Sequence, residues 1–119
     1  MADYQLGVIE SRFADIIWNN EPLSSTQLCR LAEEQLTWKK STTYTVLRRL
    51  CQKGIFQNEN GVVSAKLSKE EFYAGQSGQY LEDNFQGSLP LFLAAFTKHK
   101  KLTAEEVDEL RRMIDSYGE

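Results

Sequence analysis

The residues best suited to chemistry lie in one short stretch of the chain, from Thr37 to Lys53. This stretch has five basic side chains and no acidic one, although the whole chain of 119 residues has a net charge of −3. Serine and threonine hydroxyls lie between the basic residues. Lysine and arginine bind phosphates, and hydroxyls and arginine forks hydrogen-bond the edges of bases, so this composition is typical of a surface that binds double-stranded DNA.

Helical periodicity gives this stretch two faces. Val46 and Leu50 belong to an apolar side, whereas Thr42, Thr45 and Arg49 form a polar stripe at about 100° per residue. We expect the hydroxyls to face the major groove and Arg49 to bind guanine O6 and N7 with its two-pronged guanidinium.

Three helices and a hairpin must position this stripe. Apolar spacing predicts a first helix over residues 6–19, a second helix after the cap residue Ser24, and a third helix over residues 41–52. The pair Asn60-Gly61 between two short β-prone runs predicts an antiparallel hairpin, because both residues accept a positive φ. This order is that of a winged helix-turn-helix, in which the third helix enters the groove and the hairpin is the wing.

Each candidate DNA-binding residue has a role in this arrangement. The residues that face the bases are Ser41, Thr42, Thr45 and Arg49. The residues that hold phosphates are Lys39, Lys40, Arg48 and Lys53, and those that support the wing are Asn60 and Lys66. The full set is Lys39, Lys40, Ser41, Thr42, Thr45, Arg48, Arg49, Lys53, Asn60 and Lys66.

The C-terminal part is predicted to be helical and to dimerise. Capping signals at Ser68, Ser88 and Thr103 open three more helices, and Gly75 and Gly78 are expected to interrupt or kink the first of them. The apolar stripe of the last two helices has little to cover it within one chain, so we expect a second copy to pack on it. The candidate dimerisation residues are Leu91, Phe92, Ala95, Phe96, Val107, Leu110, Met113 and Ile114.

The predicted fold is therefore mainly α with a small β-hairpin. A winged-helix DNA-binding domain is expected over residues 1–68 and a helical dimerisation region over residues 69–119. No apolar run approaches the ~20 residues of a membrane span and no signal peptide is visible, so we expect a cytoplasmic protein without membrane insertion.

Catalysis and metal binding are not expected. His99 is the only histidine, and it has no carboxylate or cysteine at ligand spacing. Cys29 and Cys51 are too far apart for a Cys-x-x-Cys motif and are expected to be buried, reduced thiols. We predict a protein that is not an enzyme and has neither a cofactor nor a metal.

A second hypothesis is a winged domain that binds another protein and never touches DNA. The acidic isoelectric point of about 5.3 is compatible with that reading. A protein-binding face tends to carry exposed aromatic or aliphatic side chains, whereas the stripe on the third helix carries hydroxyls and arginines. The stripe therefore favours DNA.

Short motifs spread along the chain match one known family. They include Glu10 in the first helix, Trp38 before a threonine-rich third helix, Lys53-Gly54 after it, and the closing segment of residues 102–110. With these motifs the chain resembles the penicillinase-repressor family of bacterial transcription regulators, which includes the methicillin-resistance repressors. The resemblance implies a homodimeric repressor that blocks a promoter by binding an inverted-repeat operator and, by analogy, a link to antibiotic resistance.

The resemblance also implies a route of release. In that family a membrane sensor-protease activated by β-lactam triggers cleavage of the repressor at an Asn-Phe bond. The matching bond here is Ala95–Phe96, with alanine in place of the asparagine, so these two residues are the candidate cleavage site and a sensor-protease is a candidate partner. Copper-responsive relatives end in clustered cysteines, and no cysteine follows Cys51; copper sensing by that route is excluded.

Overall fold

A computed structural model describes residues 3–118 of the chain. Six helices and three strands lie within these residues. In chain order they are α1 (Val8–Asn20), β1 (Leu23–Ser24), α2 (Ser25–Leu36), α3 (Lys40–Gln52), β2 (Phe56–Glu59), β3 (Val62–Ala65), α4 (Lys69–Phe85), α5 (Leu89–His99) and α6 (Ala104–Tyr117). The predicted fold class, mainly α with a winged helix followed by a helical region, is confirmed.

Local signals explain where the helices begin. The Ser24 hydroxyl accepts the Gln27 N–H at 3.0 Å, and the Gln27 side chain accepts the Ser24 N–H at 3.0 Å, so a capping box opens α2. Thr103 and Glu106 open α6 in the same way. Thr37, in the left-handed region at φ 57°, ends α2 and turns the chain toward α3.

The wing is a short hairpin with a third strand beside it. Its turn has Asn60 at φ 54° and Gly61 at φ 80°, as the Asn-Gly pair predicts. The sheet order is β1-β3-β2, with all pairs antiparallel. Strand β1 was not predicted, because a strand of two residues leaves no periodic signal. The N–H of Ser25 donates to the Gly61 carbonyl at 2.9 Å, so the wing turn is tied to the start of α2.

Aromatic packing holds the winged region together. Trp18 lies between Phe56, Phe72 and Tyr73, with ring centroids 5.2 to 6.1 Å apart, and its indole N–H donates to the Leu67 carbonyl at 2.9 Å. Phe56 and Phe72 are fully buried. Because Phe72 belongs to α4, the first turns of that helix are part of the core of the winged region.

The chain forms two compact units, and the division between them lies within α4. The first unit extends to Gln79 and the second begins at Tyr80. Phe72 is buried in the core of the first unit, so the first turns of α4 belong to that unit; the predicted domains of residues 1–68 and 69–119 remain a prediction.

Helix α4 is continuous, and the predicted interruption by its glycines is wrong. Gly75 makes room for a neighbour: a Cβ there would lie 2.2 Å from Cε1 of Tyr4. The Tyr4 ring also lies 5.7 Å from that of Phe72, and the Tyr4 carbonyl accepts the Gln76 amide at 2.9 Å. The glycine thus lets residues next to the N-terminus pack on the helix.

The second unit comprises the end of α4, α5 and α6. None of its described residues, 80–118, is buried, and its aromatic rings contact one another at the surface. No helix within residues 3–118 is long and apolar enough to cross a membrane.

Candidate nucleic-acid interface

Helix α3 presents a polar face opposite its buried side. Thr43, Val46, Leu47 and Leu50 are buried. At about 100° per residue, the centre of the opposite side falls between Ser41, Thr45, Arg48 and Gln52, and Thr42 and Arg49 lie toward one edge. The side chains predicted to face DNA on this helix, Lys40, Ser41, Thr42, Thr45, Arg48 and Arg49, are all exposed, as is Lys39 before it.

Hydrogen bonds fix the orientation of this face. The Thr45 hydroxyl donates to the Ser41 carbonyl at 2.9 Å, so its lone pairs remain to accept a hydrogen bond from a base amino group. The Tyr44 hydroxyl donates to Oγ of Ser25 at 3.1 Å, which ties α3 to the start of α2. Trp38 packs on Phe13 with ring centroids 5.0 Å apart, so it fixes the segment leading into α3.

The N-terminus of α3 differs from those of the other helices. Side chains bond backbone N–H groups at the starts of α1, α2, α4, α5 and α6. At α3 the N-cap is Lys39, which makes no side-chain cap bond, and the first turn has no acidic residue. The free N–H groups and the positive end of the helix dipole therefore lie beside Lys39 and Lys40, an arrangement suited to a phosphate.

Two of the basic residues are held by a carboxylate of α1. Arg49 donates to Oε2 of Glu10 at 3.2 Å, and Nζ of Lys53 lies 3.9 Å from Oε1. Lys53 also donates to the Gln5 carbonyl, and its side chain is only 17% exposed. The hydrogen bond from the Gly7 N–H lowers the pKa of Glu10; partial burial opposes this shift, and Arg49 and Lys53 reinforce it.

Lys39, Lys40 and Arg48 make no ion pair with any residue of the described chain. Their charges are therefore available to a partner. Arg48 also lines a shallow groove of about 250 Å³ between α3 and Asn58 of strand β2.

The two wing candidates lie at opposite ends of the hairpin. Asn60 is exposed in the turn, whereas Lys66 follows β3 at the base of the wing, where its N–H donates to the Ile55 carbonyl at 2.8 Å. Lys66 is close enough to Cys51 to affect that thiol: burial raises the pKa of Cys51, and the Lys66 charge opposes the rise. The structure thus places Lys66 near the end of α3 and Asn60 at the wing tip.

Glu10 is the residue of this region whose role was missed. Glu10 lies three residues after the N-cap Gly7, the position from which a glutamate accepts the N-cap N–H in a capping box. This spacing could have indicated its bond to the Gly7 N–H. The pairing with Arg49 joins residues 39 positions apart, and no local pattern reports such a contact.

The candidate dimerisation residues lie in α5 and α6 of the second unit. Leu91, Met113 and Ile114 are 50%, 59% and 68% exposed. Phe92 is partly covered, with its ring stacked 5.9 Å from that of Phe96 and edge-on to Phe85 at 5.5 Å. Val107 and Leu110 are also partly covered, and Ala95 is exposed. The candidate cleavage bond Ala95–Phe96 lies within the helical part of α5.

The remaining reactive side chains form no site in the described part of the chain. Cys29 and Cys51 are free thiols, partly rather than fully buried. His99 is the last residue of α5 and is exposed. No group of three or more metal-ligating side chains occurs within residues 3–118.

Comparison with known proteins defines the class of this winged protein. The penicillinase repressor family model matches residues 6–116, and the chain belongs to this family. The penicillinase repressor of Bacillus licheniformis is 20% identical over 95% of this chain and 91% of its own length. The methicillin resistance regulatory protein MecI of Mammaliicoccus sciuri is 20% identical over 94% of each chain. Both relatives are named as regulators, not as enzymes.

Proposed function

We propose that this protein is a transcriptional repressor that binds an inverted-repeat operator as a homodimer and blocks the promoter. Family membership supports the repressor function. The observation that carries DNA binding is the α3 surface, where exposed hydroxyls and unpaired basic side chains adjoin a helix N-terminus without a side-chain cap.

The proposal gives the α3 residues distinct tasks. Ser41, Thr45 and Arg48 face the bases, because they surround the centre of the exposed side, and Thr42 contacts a base from the edge of that side. Lys39 and Lys40 hold phosphates at the helix start. The sequence favoured Arg49 for reading guanine; its ion pair with Glu10 favours Arg48 for that role and a contact with the DNA backbone for Arg49.

The remaining DNA candidates act at the margin of this surface. Lys53 is mostly covered, so its main effect is to hold the end of α3 while its charge adds to the local potential. Asn60 and Lys66 contact the backbone from the wing, one from each end of the hairpin.

Dimerisation is the second part of the proposal. Helices α5 and α6 have no buried residue, and they expose leucine, methionine, isoleucine and phenylalanine side chains. Apolar surface of this kind is stabilised when a partner covers it. A second copy of the chain provides a matching surface and places two winged units on one symmetric operator.

Release by a membrane sensor-protease is the third part. The bond carried over from the family resemblance, Ala95–Phe96, lies inside α5, so a protease gains access to it only when that helix opens locally. Cleavage there would separate α6 from the winged unit and weaken dimerisation. Mass spectrometry of the chain co-expressed with a sensor-protease of the family tests this: fragments ending at Ala95 support release by cleavage, and an intact chain contradicts it.

Selection of bound sequences from random duplex DNA tests the main proposal. The full chain is used at two salt concentrations, because backbone attraction weakens with salt whereas base reading retains its sequence preference. We expect an enriched inverted repeat with half-sites ~10 base pairs apart or a multiple of that spacing. No enrichment at either salt concentration would contradict the proposal and favour the protein-interaction module.

A further inference from the structure

The ion pairs of the winged unit divide the basic residues of its DNA surface into two groups. Lys39, Lys40 and Arg48 have no ionic partner in the described chain, whereas Arg49 and Lys53 share the carboxylate of Glu10. One negative charge thus offsets part of two positive charges at one edge of α3.

Glu10 is held in place from several sides. Its Oε1 accepts the Gly7 N–H at 3.1 Å, and its Oε2 accepts from Arg49 at 3.2 Å. The Glu10 side chain is 19% exposed, whereas that of Arg49 is 53% exposed. A carboxylate fixed to the start of α1 cannot follow Arg49 outward, so the ion pair limits how far the guanidinium can extend from α3.

Backbone attraction and base reading have different effects on specificity. A contact with a phosphate raises affinity for every sequence, whereas a base contact raises it for some. A free arginine at the edge of α3 would add attraction of the first kind. A tethered arginine adds less of it, because a phosphate must compete with Glu10 for the Nη1 group of Arg49.

We infer that Glu10 is a positioning residue of the DNA site: by tethering Arg49 at the edge of α3, it limits the backbone attraction of the winged unit for every DNA sequence and leaves the base contacts at the centre of the helix unchanged. This inference rests on the proposed function, since it assigns a role within the same DNA surface.

Replacement of Glu10 tests the inference in the full chain. Dissociation constants are measured over a range of salt for a random duplex and for the duplex enriched by selection. We expect Glu10→Gln to bind both duplexes roughly 3- to 10-fold more tightly, to steepen the slope of log K against log salt by about 1, and to leave the ratio of specific to random affinity unchanged.

Three further variants separate tethering from simple loss of charge. Glu10→Asp keeps the charge but shortens the side chain by one methylene, so it should change binding in the same direction. Asp15→Asn removes a carboxylate from the same helix, α1, whose ionic partner at 2.9 Å is Lys69 of α4, and should change affinity and the salt slope little. In an Arg49→Gln background, Glu10→Gln should leave the salt slope unchanged.

The outcomes distinguish this inference from the proposed function. An unmodified chain that selects an operator, with a Glu10→Gln variant of unchanged affinity and salt slope, overturns the role of Glu10 and leaves the repressor proposal intact. An equal effect of Asp15→Asn, or an effect that persists without Arg49, overturns it as well. An unmodified chain that binds no DNA overturns both. Glu10→Asp provides the same test if Glu10→Gln does not fold.

Discussion

Arg48 and Arg49 are adjacent in sequence but differ in environment. Arg48 is exposed near the centre of the polar face of α3 and has no ionic partner in the described chain, whereas Arg49 is bound to Glu10. A guanidinium reads guanine only if its fork is free to align with O6 and N7. The difference therefore lies in what each arginine is already bonded to, and residue type alone does not show it.

This difference predicts distinct effects of two alanine variants. Arg48→Ala should weaken binding to the selected operator by about 1 to 3 kcal/mol and relax the preference at one base position. Arg49→Ala should weaken binding less and by a similar factor on all sequences. Repeated selection with each variant measures both effects. A lost base preference in Arg49→Ala, and none in Arg48→Ala, would restore the assignment made from sequence.

Lys39→Ala tests phosphate binding separately from the base reading that Arg48→Ala tests. Lys39 is exposed at the uncapped N-terminus of α3, so Lys39→Ala should weaken binding to all duplexes alike and make the slope of log K against log salt shallower by about 1. Titrations against random and selected duplexes at several salt concentrations check this. A base-specific loss would contradict a pure phosphate role.

Glu10 also predicts a pH dependence of stability. The pKa of Glu10 is lower in the folded chain than its usual value of 4.5, so the carboxylate stabilises the fold above that pH, and this contribution is lost as the pH falls through the folded pKa. Gln at residue 10 can still accept the Gly7 N–H but has no charge, so Glu10→Gln should reduce the free energy of unfolding at pH 7 by up to about 1 kcal/mol, and the difference from the unmodified chain should shrink below pH 4.5. Denaturant unfolding at several pH values measures it; a difference that is constant with pH would contradict the ionic origin.

At the scale of elements, the two glycines in α4 make a matched pair. A Cβ at Gly75 would overlap the Tyr4 ring at 2.2 Å, whereas one at Gly78 would meet nothing within 4 Å. Gly75→Ala should displace Tyr4 and lower the free energy of unfolding by about 1 to 3 kcal/mol. Gly78→Ala should raise it by up to about 1 kcal/mol, since alanine favours the helix. Thermal unfolding of both variants tests the opposite signs; a stabilised Gly75→Ala would show that Tyr4 is not held there.

Most elements were predictable because their signals are local. The capping pairs at Ser24, Ser68 and Thr103 and the Asn60-Gly61 turn depend on residues within three positions of each other, and each element begins or turns where its signal lies. The polar character of the exposed α3 face followed from helical periodicity alone.

The features that sequence did not reveal depend on distant contacts. The continuity of α4 past Gly75 is accompanied by a contact with Tyr4, and the tethering of Arg49 depends on Glu10 in another helix. The division between the two units lies within α4 because Phe72, near the start of that helix, is buried in the core of the first unit. Periodicity describes one segment at a time, so it cannot report any of these pairings.

At the scale of the whole molecule, the second unit predicts a monomeric variant. Met113 and Ile114 are exposed apolar residues of α6, and an aspartate in their place would bury an unpaired charge in a dimer. Ile114→Asp should therefore shift the chain to a monomer and weaken operator binding, because one half-site is then bound at a time. Val8→Asp is the control, since Val8 is 79% exposed in the first unit. Sedimentation analysis at matched concentrations measures the oligomeric state of both variants. An Ile114→Asp variant that remains a dimer would contradict the proposed interface.

The chain has two tryptophans, and both pack in the first unit: Trp18 in the aromatic cluster and Trp38 against Phe13. Indole fluorescence therefore reports on the winged unit alone, whereas far-ultraviolet circular dichroism adds the helices of both units. Superimposed melting curves would mean that the units lose their structure as one cooperative block, and separate curves would mean that they melt independently. The position of these two indoles thus gives the protein a built-in optical probe of domain cooperativity, with no label attached.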